Sequence, residues 1–242
     1  MNVSLCQAAA AMNANARLQE IIAQNLAAGS VPGFKKQDVS FAAVEAAQAQ
    51  NTLMPEARVA TNFQQGLLRP TGVPTDVAIE GDGFFEVQLP SGQTSYTRDG
   101  EFQFDAQGQL VTKQGYPVLS DSGPIQIDRN NPAQFSIAPD GTLSQGADTK
   151  GKLKITTFSD PHLLTYVGNG NYIATDPNLQ PSTATDVTMR QGYLEASNAS
   201  AVVEMAHLVT AMRQYEASQR VVQTQDDRMG RAISELGNPN AS

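Results

Sequence analysis

A chain of 242 residues is long enough for one large domain, or for a medium one with extended terminal elements. With 40% hydrophobic residues, no Trp, nine Phe and six Tyr it can build only a modest core, and its formal charge of −8 argues against the basic face that nucleic acid requires. Its single cysteine, Cys6, excludes an intrachain disulfide and a multi-thiolate metal site.

The first predicted element is a helix over residues 2 to 28. Its heptad seam reads Leu5, Ala8, Met12, Asn15, Gln19, Ile22 and Leu26, in alternating steps of three and four. Such spacing puts one stripe on a helix and lets a second helix interdigitate with it. Cys6 reads as a small buried residue of the Ala-rich run. No secretory signal is visible, because a basic leading region and a Leu-rich core are both missing. Nor does any apolar run reach the ~20 residues that cross a bilayer, so direct membrane insertion is not expected. The cluster Gly29-Ser30-Val31-Pro32-Gly33 ends the helix, with Gly29 as a left-handed cap and Pro32 forbidding continuation.

Residues 35–74 read as an extended linker. Ala42 to Gln50 suggests a short helix, and Pro55, Gly66, Pro70, Gly72 and Pro74 break up the remainder. From residue 75 the period changes to that of short strands. Val77 and Ile79 alternate with polar residues, Phe84-Phe85-Glu86-Val87 and Tyr96-Thr97-Arg98 flank a turn, and Phe102-Gln103-Phe104 alternates again. Turn glycines recur at Gly92, Gly100, Gly108, Gly115 and Gly123, which indicates antiparallel β structure continuing to about residue 188. Most of the negative charge lies in this middle region, and the two ends are nearly balanced. Balanced surfaces come together without strong mutual repulsion.

The last predicted element is a helix from about Ala199 to Leu236, with Ser197 and Asn198 as candidate N-caps. Leu208, Tyr215, Val222, Met229 and Leu236 repeat every seven residues, and Met205, Met212, Gln219, Asp226 and Ile233 form the second row of the seam. The polar members Asn15, Gln19, Gln219 and Asp226 are candidate register marks, since buried polar seam positions fix register at a cost in stability.

Sites for chemistry are weak. Glu80, Asp82 and Glu86 lie close together, but Glu80-Gly81-Asp82-Gly83 reads as a tight turn rather than an acid/base pair. His162 and His207 are the only histidines, and neither has a second ligand at helical spacing, so zinc is not expected. Gly81-Asp82-Gly83 lacks the Lys and further glycines of a phosphate loop. No catalytic residues and no cofactor are predicted.

Three segments, taken in order, resemble one family. Ile22-Ala23-Gln24-Asn25-Leu26-Ala27-Ala28-Gly29-Ser30-Val31-Pro32-Gly33-Phe34-Lys35-Lys36 is similar to the helix-to-turn signature of bacterial flagellar rod and hook proteins, with Gln24 where that signature carries a second Asn. Phe63-Gln64-Gln65-Gly66, Asp76 to Phe85 and Tyr96-Thr97-Arg98-Asp99-Gly100 resemble its central domain. Gly192-Tyr193-Leu194-Glu195-Ala196-Ser197-Asn198, leading into Glu204-Met205 and Arg213-Gln214-Tyr215-Glu216-Ala217, resembles its C-terminal part.

The resemblance implies a non-enzymatic axial protein of the flagellar basal body. It would be exported by the flagellar type III apparatus without a cleaved signal, and assembled helically with copies of itself and other rod or hook proteins. The chain has no room for the hook protein's additional outer domain. It also lacks the inserted Gly-, Thr- and Val-rich stretch of the distal-rod member between Phe34 and Phe63, which favours the proximal-rod member. An alternative of another class is a β-domain adhesin or cell-wall-binding module that its helices oligomerise.

The expected fold is α+β: N- and C-terminal coiled-coil helices flanking a central, mainly antiparallel β domain. The expected parts are residues 1–34 (helix and turn), 35–74 (linker), 75–188 (β domain) and 189–242 (helix). The expected functional residues are the two seams together with the turn Pro32, Gly33 and Phe34.

Overall fold

The computed structural model describes residues 3–45, 53–129, 131 and 133–236, with side chains for 7–42, 57–129, 131, 133–231 and 234. The fold is α+β. Two long helices, α1 (Val3–Ala28) and α2 (Ala201–Leu236), stand at the ends of a chain whose middle is mainly antiparallel β structure. The chain divides into two compact units. One comprises residues 1–27, 37–61 and 200–242, and the other residues 28–36 and 62–199.

The first unit joins both helices to a hairpin. Strand β1 (Gln37–Glu45) pairs antiparallel with β2 (Leu53–Thr61) in unbroken register from Gln37↔Thr61 to Glu45↔Leu53. The short helix expected over residues 42–50 does not form at its start, where residues 42–45 are strand; residues 46–50 lie outside the described residues. Alternation explains the difference. Val39 and Phe41 share one strand face, and β-branched and aromatic residues suit a pleated surface better than the first turn of an unsupported helix.

The second unit is organised by a six-stranded antiparallel sheet whose strands are ordered Leu164–Gly168, Asn171–Ala174, Thr94–Thr97, Phe84–Gln88, Ile155–Phe158 and Pro181–Thr183. Successive side chains of a strand point to opposite faces. Phe84 therefore enters one core, with Tyr96, Phe158, Leu164 and Tyr172, while its neighbour Phe85 enters the other, with Val77, Ile79, Val87, Phe102 and Leu110. At its central strand both faces of this sheet are covered, which is why Phe84 to Val87 reads as a run of buried residues rather than an alternation, while the edge strands Leu164–Gly168 and Pro181–Thr183 carry exposed residues. In the core that Phe84 enters, Tyr96 meets Phe158 edge to face at 4.8 Å; in the other, Phe85 meets Phe102 at 5.0 Å.

Two short ladders close the unit. Val77–Glu80 pairs with Thr188–Gln191, and Leu68–Pro70 pairs with Tyr193–Glu195. Because strands from opposite ends of the unit are hydrogen-bonded, residues 62–70 and 193–199 run side by side. Gly81 to Gly83 form the turn between Glu80 and Phe84, and Glu80 forms an ion pair with Arg190 at 2.6 Å. The other carboxylate of that acidic stretch, Glu86, is buried on Thr156 Oγ1, with Lys154 at 3.0 Å.

Candidate assembly site

Two groups of residues stand out, one in each unit. In the second unit, Lys35, Arg98 and Glu195 come from the three sequence segments that carried the family resemblance, and they meet in one buried ionic cluster. Lys35 and Glu195 are each 1% exposed and Arg98 is 4% exposed. Lys35 Nζ donates to Glu195 Oε1 and to Gln64 O at 2.8 Å. Gly66 N donates to the same carboxylate oxygen at 2.8 Å, and Arg98 reaches the other oxygen at 3.5 Å. Arg98 also donates to Gly81 O at 2.8 Å and lies over the Phe84 ring, 5.4 Å from its centre.

A second polar residue extends this clamp. Asn198 Oδ1 accepts from Lys36 N at 2.8 Å, and its Nδ2 donates to Asn62 O at 2.8 Å and Gln64 O at 3.0 Å. Main-chain bonds from Gly33 N to Glu195 O at 2.7 Å and from Ala196 N to Leu67 O at 2.8 Å complete it. Segments 33–36, 62–67 and 195–198 are thereby tied into one bundle of chain. The backbone must come close for this. A Cβ on Gly33, whose φ is 67°, would lie 2.3 Å from Arg98 C, and one on Gly66 would lie 1.9 Å from Ala196 O.

Burial dominates the electrostatics. It pushes the Lys35 ammonium below its ordinary pKa, an effect that the neighbouring Glu195 charge opposes. It pushes the Arg98 guanidinium down as well, again against Glu195. Beside them, Asp99 is buried and its pKa is pushed up to about 6, chiefly by desolvation, while the hydrogen bond that it accepts from Glu101 N works the other way.

In the first unit, α1 and α2 meet antiparallel: Gln19 Nε2 donates to Ala211 O at 3.3 Å, and one turn and a half further along α1, Asn25 Nδ2 lies 3.5 Å from Glu204 Oε2. Asn25 also binds the start of β1 with both ends of its carboxamide, donating to Gln37 O at 2.8 Å and accepting from Gln37 N at 2.9 Å. A buried amide bonded to an extended strand in this way acts as an extra rung of sheet, so α1 is fixed to the hairpin as well as to α2.

The seam residues are distributed between the inside and the outside of this unit. On α1, Ala8 and Ile22 are buried, and Met12, Asn15, Gln19 and Leu26 are half-buried. Ala14, Ile21 and Asn25, which the seam omitted, are buried too. On α2 the covered positions are Glu204, Leu208, Ala211, Tyr215, Ser218, Val222, Gln225 and Met229. The row Leu208, Tyr215, Val222 and Met229 therefore faces inward, whereas Met205, Met212, Gln219 and Asp226 are exposed. The side chains of Leu5, Cys6, Ile233 and Leu236 lie outside the described residues.

Ser218 can occupy an inner position because its hydroxyl donates to Gln214 O of its own helix at 3.0 Å. In the turn, Gly33 and Phe34 are buried and Pro32 is half-buried, with Phe34 edge-on to Tyr166 at 6.2 Å. Gly33, not Gly29, is the left-handed glycine there. Asn198 does not cap α2, which begins at Ala201; its side chain is committed to the clamp.

Sequence reading did not single out Lys35, Asn25, Arg98, Glu195 or Glu204, although all five lie in the quoted motifs, and it gave Asn198 only a capping role. For Lys35 and Arg98 a signal was available, since each is a cationic residue with Gly and aromatic neighbours where the chain turns, whereas Asn25 and Glu204 lie inside α1 and α2 and offered none. Among the described residues no three His, Cys, Asp or Glu side chains gather as metal ligands, and no helix is long and apolar enough to cross a membrane.

Comparison with known proteins agrees with this convergence of motifs. Residues 78–145 match the family model described as the flagellar hook protein FlgE/F/G D1 domain, and residues 190–235 match that of the flagellar basal body rod FlgEFG protein C-terminal region. The chain is 36% identical to the flagellar basal-body rod protein FlgF of Caulobacter vibrioides, over 91% of this chain and 92% of that one. It is 34% identical to the rod protein FlgG of Borreliella burgdorferi, over 94% and 96%, and 32% identical to FlgF of Escherichia coli, over 88% and 90%.

Two outcomes follow from the clamp. Glu195→Gln leaves Lys35 and Arg98 buried without their counter-charge and is expected to cost about 3–5 kcal/mol, read as a lower urea midpoint of the full chain at unchanged slope. Asp99 has a folded-state pKa above its unfolded value, so the stability it contributes is present below about pH 4 and lost as pH rises through about 6. Asp99→Asn, which keeps the oxygen facing Glu101 N, is therefore expected to raise the urea midpoint at pH 7.5 and to flatten its dependence on pH between 4 and 7.

Proposed function

Because the chain belongs to the flagellar basal-body rod protein family, in which it is a structural subunit and not an enzyme, we propose that it assembles helically through α1 and α2 and transmits torque for swimming. Its partners are copies of itself and other rod or hook proteins, and it reaches the periplasm-spanning rod through the flagellar export apparatus without a cleaved signal. A helical rod repeats one heterologous contact without closing on itself, so each subunit needs an adhesive surface left over after its own fold is complete.

One observation carries this reading. Val202, Met205, Val209 and Met212 stand exposed on α2, immediately beside the row Leu208, Tyr215, Val222 and Met229 that is covered within the unit. In the assembled state this strip makes the contacts of a coiled coil with neighbouring helices, and the seam is shared between the chain's own α1 and those neighbours. The aromatic rings of the β unit, by contrast, pack on one another, as in the cluster of Phe63, Phe84, Phe158 and Tyr172. The proximal position in the rod is supported by the short interval 35–62, which carries the β1–β2 hairpin and no inserted Gly-, Thr- and Val-rich stretch.

Met205 and Met212 are 53% and 50% exposed, so Met205→Asp combined with Met212→Asp is expected to change the monomer's stability by no more than about 1 kcal/mol. A strain carrying this double variant as its only copy is expected to lose swimming in soft agar and to yield no intact rods. Swarms of normal diameter would contradict the assembly role.

A further inference from the structure

Asp99 stands beside the clamp without belonging to it. The Arg98 guanidinium is committed to Glu195 and to Gly81 O, whereas among the described residues the Asp99 carboxyl accepts one hydrogen bond, from Glu101 N at 3.0 Å. Asp99 is 7% exposed, and Asp76, whose main chain bridges that of Glu101, is 5% exposed. Asp76 and Glu101 both act on Asp99 with charge of its own sign. The ammonium that opposes them belongs to Lys113, which is itself bonded to Glu101 at 3.2 Å and is 67% exposed. A carboxylate placed like this has exchanged its water for one amide and two like charges, so the site suits the neutral acid.

The Pro32-Gly33-Phe34 turn lies directly on the Arg98–Asp99 peptide. A Cβ on Gly33 would be 2.3 Å from Arg98 C and 2.4 Å from Asp99 N, so the two stretches of main chain are in contact with no space for another atom. On the opposite side Val77 N donates to Gly100 O at 3.1 Å, and a Cβ on Gly100 would be 1.7 Å from Val77 O. Residues 98–100 are thus wedged between the turn and the start of the Val77–Glu80 strand. The two sides are not equally firm. Val77 is fully buried in the core and belongs to a four-residue ladder. The turn is pinned by Gly33 N to Glu195 O at 2.7 Å and by its internal bond from Phe34 N to Val31 O at 3.3 Å, while Ser30 is exposed and Val31 and Pro32 are only half-buried. The charged groups on the turn's side, Lys35 and Glu195, are already paired.

We infer that Asp99 is a proton-operated latch for this turn: the neutral acid lets the turn rest on residues 98 and 99, and the ionised acid makes the turn lift transiently so that water reaches the charge. Such a latch is a property of the single chain, whichever partners it has. Its sign follows from linkage. Asp99 is the stronger acid when hydrated, so ionisation favours the lifted state. With values of about 6 for the closed state and 3.8 for the hydrated one, the lifted population is expected to rise about tenfold from pH 5 to pH 7.5.

Amide exchange of the full chain tests this, followed residue by residue by NMR with each rate divided by its intrinsic rate at the same pH. The Gly33 and Phe34 amides are expected to exchange faster than that of Leu110, which bonds Ile125 O in the core and reports global unfolding. Their protection is expected to fall about tenfold between pH 5 and pH 7.5 in the natural chain, to change less in Asp76→Asn, and to stay constant in Asp99→Asn. Three results would overturn the latch. Gly33 and Phe34 could exchange only at the Leu110 rate; their protection could be independent of pH in the natural chain or fall equally in Asp99→Asn; or the loosening could appear at the Val77 amide and not at Gly33. The natural chain alone decides the first and the third, so a variant that fails to fold does not block the test.

Discussion

A carboxylate held between two cations in a dry interior is the constraint on which the second unit depends. Glu195 accepts from Lys35, Arg98 and the Gly66 amide, and these four groups are contributed by segments far apart in the chain. Buried ion pairs add little net stability, because desolvation offsets the Coulomb attraction; removing one partner is nevertheless expensive, since the survivors keep their desolvation cost. Such a cluster is therefore better suited to fixing position than to adding stability. Here the position it fixes is where residues 33–36, next after the turn that ends α1, lie against residues 195–198, just before α2 begins. Gly33 and Gly66 allow the main chain of residues 33–36 and 62–67 to lie against Arg98 and Ala196, where a Cβ would collide with backbone atoms.

The surrounding β structure supplies the low dielectric. Phe84 lies under the Arg98 guanidinium and at the same time packs with Tyr172 and Phe158, so one ring belongs to both the core and the cluster. The burial that makes Arg98 and Lys35 depend on Glu195 also reaches the next residue, Asp99, whose carboxyl is desolvated more than the Glu101 amide and the Lys113 charge compensate, so it becomes easier to protonate. The first unit repeats the principle with neutral groups. Asn25 ties α1 to β1 and lies next to Glu204 of α2, so a single amide serves three elements.

Much of this was legible from residue spacing. The two helices, the change to short strands near residue 77 and the turn at Pro32-Gly33-Phe34 all rest on local signals that the three-dimensional structure reinforces. The hairpin was not legible, because residues 42–50 are rich in Ala and Gln and satisfy a helical template, whereas residues 42–45 pair with β2. The second row of the C-terminal seam followed from heptad spacing, which pointed to Met205, Met212, Gln219, Asp226 and Ile233. Glu204, Ala211, Ser218 and Gln225 are covered instead, with Gln19 and Asn25 of α1 reaching Ala211 O and Glu204. Met205 and Met212 remain outside, on a surface that a single folded chain does not cover. The clamp was hidden for a related reason: Lys35, Arg98 and Glu195 are 63 and 97 residues apart along the chain, and no local pattern shows that charges at such separations meet.

The most direct measurement is a double-mutant cycle across the clamp, comparing the unfolding free energies of the full chain with Lys35→Met, Glu195→Gln and both substitutions in urea at pH 7. If the three motifs meet as described, the double variant is less destabilised than the sum of the single ones, with a coupling of about 2 kcal/mol or more. Additivity to within about 0.5 kcal/mol would contradict the account, because residues that do not share a buried charge have no reason to couple.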